Sequence, residues 1–138
     1  MGIYGINYSA LFVSVLFSLI LGFIWYGPLF GKTWIKLSGI ARSGMKKAKH
    51  SDMSSSYTLM IISSLVTFFI LGFIISIAGY RDYFSGAILG FFIWIGFIAT
   101  YSSGSVLWEK KSWSLWLINN LYQLIIFAFA GAILSGWR

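Results

Sequence analysis

The sequence lacks cysteine altogether, and it is poor in acidic residues and in histidine. Without cysteine, the chain can form neither disulfides nor thiolate metal sites. The three acidic residues and the single histidine, His50, provide no Ser/His/acid set and no metal-ligand set at any spacing. We therefore expect that the protein is not an enzyme, with no catalytic, cofactor-binding or metal-binding residue and no cofactor.

Charge of either sign is also scarce. Only 9% of the 138 residues are charged and 59% are hydrophobic, whereas about a quarter of the residues in a soluble domain carry charge. Four apolar runs approach the roughly 20 residues that a bilayer-spanning helix needs. They are continuous, without the strict alternation of barrel strands. The sequence predicts an all-α integral membrane protein, a four-transmembrane-helix bundle in one domain (1–138), with spans at about residues 8–27, 57–79, 84–107 and 113–136.

The only proline, Pro28, follows Gly27 at the end of the first predicted span. Proline lacks an amide donor and disfavours helix in the preceding residue, so this helix is expected to end or kink there. The surrounding residues form a candidate interfacial motif in which aromatic side chains rest in lipid and lysines face headgroups. Its members are Trp25, Tyr26, Gly27, Pro28, Lys32, Trp34 and Lys36.

Residues 28–56 form the main polar segment. At 100° per residue its basic and apolar side chains fall on opposite sides, which predicts an amphipathic helix on the membrane surface. The alternative is a basic loop resting on lipid. Either form would bind anionic headgroups. Ser54–Ser56 is predicted to be a loop or the cap of the next helix. The apolar side contains Phe30, Trp34, Leu37, Ala41, Met45 and Ala48, and the basic side contains Lys32, Lys36, Arg42, Lys46 and Lys49.

The distribution of lysine and arginine predicts the orientation. Eight of the ten basic residues lie in residues 28–56 or in the turn after the third span, which are on one side of the membrane. Since cytoplasmic loops collect positive charge, we expect a multi-pass protein of the bacterial inner (cytoplasmic) membrane with both termini non-cytoplasmic. A nucleic-acid partner is not expected, because these basic residues sit against a bilayer.

No ionisable Asp, Glu, Lys, Arg or His side chain falls inside a predicted span, so the deep polar groups are neutral. Unpaired amides are costly in hydrocarbon, and these groups should therefore face the bundle or an oligomer interface. They can form a hydrogen-bonded staple between spans three and four, or line a small conduit. The candidate polar layer consists of Thr100, Tyr101, Ser103, Asn119, Asn120 and Gln123.

Small residues recur every four positions along the spans, as in Ser14, Ser18 and Gly22, and in Gly86 and Gly90. Such ridges let helices approach closely in lipid, and they predict a homo-oligomer or a partner membrane protein. Two similar segments, residues 20–25 and 88–94, lie in spans one and three. They indicate either an internal duplication or a chance match between apolar segments.

The stretch Trp25-Tyr-Gly-Pro-Leu-Phe-Gly-Lys-Thr-Trp34 resembles the small bacterial membrane proteins catalogued as domain of unknown function seventeen-sixty-one. Further similarity lies in Ile6-Asn-Tyr8, in residues 86–96, at Glu109 and at Gly131. The resemblance implies four spans and supplies no activity. We expect a non-enzymatic structural or accessory protein that binds partner helices or anionic lipid. The alternative is a small oligomeric transporter or channel for a neutral or weakly charged solute.

Overall fold

The structure, a computed structural model, describes residues 5–38 and 50–137, and these residues form helices without any strand. Four helical stretches are long and apolar enough to cross a membrane. They are span one (Tyr8–Leu29), span two (Tyr57–Ala78), span three (Tyr83–Leu107) and span four (Trp113–Gly136). The predicted class, an all-α multi-pass membrane bundle, is confirmed. The α-helices are Tyr8–Ile24, Gly31–Ser38, His50–Ala78, Tyr83–Ile93, Thr100–Ser102, Gly104–Leu107 and Trp113–Gly136, and π-helical turns occupy Trp25–Leu29 and Trp94–Ala99.

Polar side chains cap the starts of three spans. Asn7, Asp82 and Ser112 each accept a hydrogen bond from a backbone N–H in the first turn of the helix that follows. The helix that contains span two is followed by Gly79, whose φ of 79° is left-handed and suits glycine. The turns between apolar runs are therefore encoded by a few local residues.

The helix of span two begins at His50, well before the apolar run. The prediction of a loop or cap at Ser54–Ser56 is wrong, because these residues lie inside that helix. Serine has only a modest helix penalty, and the apolar continuation outweighs it. The predicted amphipathic segment is described over Gly31–Ser38, and its continuation through residues 39–49 lies outside the described residues.

Span four is the centre of the bundle, since it contacts each of the other three spans. It packs most extensively against span three. Span one also packs against span two. Burial of apolar side chains between spans two and four forms the core, with Phe68 against Phe127 in an edge-to-face contact at 6.3 Å. The fully buried members include Ala10, Phe68, Leu71, Ile75, Ala130 and Leu134.

Glycines bring spans three and four into backbone contact. A Cβ atom at Gly86 would overlap the carbonyl oxygen of Gly131, and one at Gly90 would overlap the carbonyl oxygen of Phe127. Small residues allow this approach, which favours van der Waals packing between helices in lipid. The ridge of span three over these glycines is therefore used inside one chain, and it offers no free surface for a partner helix.

Both π-helical turns widen a span by one residue. In span one, an α-helical Pro28 would clash with the carbonyl of Ile24 and could not donate to it. The chain instead continues as a π turn, with Phe30 N–H donating to the Trp25 carbonyl at 2.9 Å. The α-helix of span one thus ends at Ile24, shortly before the predicted end or kink at Gly27 and Pro28, and the span continues as the π turn through Leu29.

The second turn begins at Trp94, so both of the similar segments noted in the sequence end in a tryptophan that opens a π turn. In span three the buried positions run Gly86, Gly90, Trp94 and then Ala99. Their spacing is four, four and five residues. The wide turn thus keeps one face of span three against span four, and it rotates the side chains beyond residue 94 away from their α-helical positions.

Candidate functional site

The Trp-Tyr-Gly-Pro stretch of span one is joined to span four. The Trp25 Nε1–H donates to the Ile118 carbonyl at 2.8 Å. The Tyr26 hydroxyl donates to Asn119 Oδ1, also at 2.8 Å. Both donors would be costly to leave unpaired at this depth. These bonds give the motif a definite position against span four, in addition to the interfacial location expected from the sequence.

Aromatic rings pack around these bonds. Tyr26 contacts Tyr122 edge to face, with ring centroids 5.5 Å apart, and Trp34 in the same manner at 5.8 Å. The Trp25 ring lies 4.8 Å from Phe30. Offset and edge-to-face pairs of this kind add about 0.5–1.5 kcal/mol each beyond their buried area. The cluster therefore connects span one, span four and the helix that follows Pro28.

That following helix, Gly31–Ser38, is called here the basic helix. Gly31 is buried, and a Cβ atom there would lie 2.7 Å from the Tyr26 carbonyl oxygen, so the helix starts tightly against the π turn. Lys32 and Lys36 are exposed, whereas Trp34 and Leu37 are half-buried. The described part of the predicted amphipathic segment thus has one packed side and one basic side.

A groove of about 670 Å³ lies between spans one and two, with Tyr122 of span four reaching into it. On its rim, Phe23 is 77% exposed and Met60 is 43% exposed, which opens the groove to the surroundings of the bundle. The Tyr122 hydroxyl donates to the Ser18 carbonyl. The lining is otherwise almost entirely apolar, and it comprises Ser18, Leu19, Gly22, Phe23, Tyr26, Gly27, Pro28, Tyr57, Met60, Ile61 and Tyr122.

The candidate polar layer is brought together only in part. Asn120, which is 3% exposed, accepts a hydrogen bond from the Ser102 hydroxyl at 2.8 Å and donates to the Trp116 carbonyl at 2.9 Å. The first bond joins spans three and four. Asn119 accepts from Tyr26 and so faces span one instead. The two adjacent amides therefore join span four to two different neighbours.

The remaining members of the layer do not face these amides. The hydroxyls of Thr100 and Ser103 donate to carbonyls of their own helix, at 2.8 and 2.6 Å. Tyr101 is 87% exposed. Gln123 is half-buried and makes no hydrogen bond within the described chain. An unbroken α-helix from Gly90 would turn Tyr101 inward, and the π turn at residues 94–99 rotates it outward.

Sequence reasoning missed the groove and Tyr122. The spacing of Ser18 and Gly22 indicated a close helix contact, but it did not show that Tyr122 would fill only part of the space beside them. A lone tyrosine in the middle of an apolar span was the available signal, because a buried hydroxyl needs a partner. The rim residues on span two, Met60 and Ile61, carry no distinguishing pattern.

In the described part of the chain, no Asp, Glu, Lys, Arg or His side chain lines the groove. Asp82, in the turn before span three, is fully exposed, and the Ser85 amide that donates to it at 2.8 Å lowers the pKa of this carboxyl below its ordinary value. Among the described residues, no three His, Asp or Glu side chains lie close enough together to hold a metal ion. The described site therefore contains hydrogen-bonding and apolar groups, with positive charge only at its edge.

Residues 9–135 match the model of one protein family, whose description is "Protein of unknown function (DUF1761)". The match covers nearly all of the chain and confirms the family that the sequence resembles. No curated protein and no solved structure matches the chain.

Proposed function

Since this chain belongs to the DUF1761 family of proteins of unknown function, no activity is transferred from relatives, and we propose a function from its geometry. The protein is a non-enzymatic accessory protein of the bacterial inner membrane that binds anionic lipid through its basic helix. The observation that carries this proposal is the basic helix itself. Trp34 holds it against Tyr26, and Lys32 and Lys36 remain exposed.

Lys32 and Lys36 supply the electrostatic attraction between the basic helix and lipid. Each Lys near an anionic membrane surface contributes about 1 kcal/mol of attraction. A flexible segment would lose part of this in ordering its side chains, whereas the aromatic contacts of the basic helix fix its backbone beforehand. The formal net charge of +7 has the same sign and favours the same partners. The fixed basic face therefore supports lipid over a partner helix as the ligand.

The test is the lipid composition around the extracted protein. Wild type and the double variant Lys32→Gln/Lys36→Gln are extracted in polymer-bounded membrane discs, and the anionic fraction of the lipids is compared with that of the bulk membrane. We expect enrichment in wild type and a clear loss in the variant. Lys110→Gln/Lys111→Gln is the matched control, because it removes the same charge from an exposed turn that lacks the aromatic contacts. Equal lipid composition in all three samples would contradict the proposal.

The orientation belongs to the same proposal, with both termini non-cytoplasmic and the basic helix on the cytoplasmic side. Reporter fusions measure it directly. Alkaline phosphatase fused after Arg138 should be active, and a fluorescent protein at the same position should be dark. The reverse pattern would place the basic helix on the outer side, where cytoplasmic anionic lipid cannot reach it.

The proposal also includes self-association. Gly86, Gly90 and Gly131 pack inside one chain, so they leave few small residues on the outer surface for a second copy. Gly96 and Thr100 remain exposed at small-residue spacing. A homo-oligomer would use this face. Light scattering of the detergent-solubilised protein measures the mass directly, and Gly96→Leu should reduce an oligomer to monomer.

The transporter alternative requires span-four amides that line a conduit. Asn119 and Asn120 are instead engaged in hydrogen bonds between helices. Gln123 alone is left from the proposed lining. The geometry therefore favours the accessory, lipid-binding function.

A further inference from the structure

We propose that the groove between spans one and two binds one acyl chain of an anionic lipid, whose headgroup lies against Lys32 and Lys36. This inference deepens the proposed function and rests on it, since it assigns a defined site to lipid that the basic helix attracts. Three features of the groove carry it: its depth, the chemistry of its lining and the charge at its end.

The depth of the groove matches one leaflet. Its lining on span one runs from Pro28 down to Ser18, a separation of ten residues. At 1.5 Å per residue this is about 15 Å, which is half of the roughly 30 Å hydrocarbon core of a bilayer. A volume of about 670 Å³ lies within the ordinary range for ligand sites. An acyl chain of that leaflet can therefore lie along the groove over its length.

The lining excludes a polar headgroup from the interior. Below the end of the groove at Pro28, the hydroxyls of Ser18, Tyr26 and Tyr122 line it, and each already donates its proton, to the Val15 carbonyl, to Asn119 and to the Ser18 carbonyl. None of these three hydroxyls has a proton left for an anionic oxygen. An anion buried without donors is strongly disfavoured. The occupant must therefore place its apolar chain inside and its charged group at the end.

Positive charge lies at that end. Pro28 and Gly27 form the end of the groove, and Lys32 follows Pro28 by four residues, a distance of at most about 14 Å along the backbone. Lys36 lies one helical turn further on the same side, and both side chains are exposed. A phosphate-bearing headgroup above the groove is within reach of these flexible side chains. Charge complementarity thus selects an anionic lipid over a neutral one.

Native mass spectrometry of the full chain, released from detergent with added phosphatidylglycerol or phosphatidylcholine, tests the site. We expect wild type to retain one phosphatidylglycerol molecule under conditions that strip the remaining lipid. Met60→Trp fills the groove from its exposed rim and should abolish this retention. Leu59→Trp is the matched control, since Leu59 is a more exposed neighbour on the same helix outside the groove. It should retain lipid as wild type does.

Variants of the two lysines test the binding of the headgroup independently of the binding of the acyl chain. Lys32→Gln and Lys36→Gln should each weaken phosphatidylglycerol retention about fivefold and leave phosphatidylcholine retention unchanged. Equal retention of both lipids by wild type would overturn the assignment of an anionic headgroup. Unchanged retention in Met60→Trp would overturn the assignment of the groove as the acyl-chain site. In that case enrichment of anionic lipid around wild type would still stand, so failure of the site and failure of the proposed function are distinguishable.

A second measurement does not depend on the folding of any variant. Phosphatidylglycerol with a photoreactive diazirine in its acyl chain is crosslinked to wild type, and the attachment points are mapped by peptide mass spectrometry. We expect attachment at Leu19 and Met60 to exceed attachment at Phe12 and Phe97, which are exposed on spans one and three away from the groove. Uniform attachment over all four would show an ordinary lipid annulus and overturn the proposal.

Discussion

Replacement of Gly86 by alanine tests the contact on which the bundle depends most. The added methyl would overlap the carbonyl oxygen of Gly131 and the Cβ atom of Ser135. Neither atom lies at the end of a flexible side chain, so rotamer changes cannot relieve the overlap. Spans three and four must therefore move apart along their closest contact.

The size of the effect follows from two opposing terms. Forcing an extra methyl group into a packed interior costs about 1–3 kcal/mol. Alanine favours helix over glycine by about 1 kcal/mol, which offsets part of that cost. The matched variant Gly96→Ala, on the same span, has the second term alone within one chain, because a Cβ there would meet no described atom within 4 Å. Both variants are therefore compared under conditions in which light scattering shows monomeric protein. The difference between the two variants is therefore the packing cost, about 1–3 kcal/mol.

Unfolding in mixed micelles with increasing dodecyl sulfate, followed by the fluorescence of the seven tryptophans, measures this difference. Gly86→Ala should unfold at a lower detergent fraction than wild type, and Gly96→Ala at the same or a higher one. Circular dichroism checks that both variants begin with native helicity. If the two variants shift together, spans three and four do not meet through Gly86.

Three other perturbations address the polar contacts, the proline and pH. Asn120→Leu should cost about 0.6 kcal/mol for the bond to Ser102, measured as a coupling energy in a double-mutant cycle with Ser102→Ala. Pro28→Ala restores an N–H that can donate to the Ile24 carbonyl, so the π turn should become α-helical and rotate the basic helix by about 100°. Single cysteines introduced along that helix measure the rotation by their accessibility, because the chain has no native cysteine. The lowered pKa of Asp82 means that its cap stabilises the fold above about pH 4 and stops doing so as pH falls through the folded-state pKa; unfolding followed from pH 7 to pH 2 should show this loss.

Each of these has a control. Gln123→Leu should show no coupling to Ser102→Ala, because Gln123 makes no hydrogen bond within the described residues. An unchanged accessibility pattern in Pro28→Ala would mean that the aromatic contacts, and not Pro28, set the π turn. Asp82→Asn keeps a capping side chain without a titrating group, so its stability should lose the acid-dependent component. If wild type and Asp82→Asn respond identically to acid, another group governs the response.

Apolar length was sufficient to predict the membrane class and the four-helix architecture, because a bilayer imposes the same span on every helix. Which side chains on each helix face a neighbouring span was harder to predict from the sequence. The depth of Thr100 and Tyr101 in the membrane predicts that they face span four, and for Tyr101 this requires α-helical geometry throughout span three. The π turn at residues 94–99 departs from α-helical geometry. Unlike the turn at Pro28, it contains no proline from which the sequence could predict it.

The candidate site shows the same division. The Trp-Tyr-Gly-Pro stretch was recognisable from its unusual composition, and Lys32 and Lys36 from their spacing. That Trp25 and Tyr26 would bond to residues 118 and 119 depends on the angle at which spans one and four cross, which one sequence does not encode locally. The groove depends further on what Tyr122 leaves unfilled, and voids of this kind follow from packing rather than from pattern.

The wide turn in span three has a consequence for the length of the chain. Five residues separate the buried positions Trp94 and Ala99, where four would bring an α-helix back to the same face. The span therefore contains one surplus residue between Gly90 and Ser102. Loss of one residue elsewhere in the span would turn every later side chain by about 100°. Loss of one residue between Trp94 and Ala99 would instead return the backbone to α-helix and leave Ser102 beside Asn120. This short segment is thus the place where span three can tolerate a deletion without losing its contact with span four.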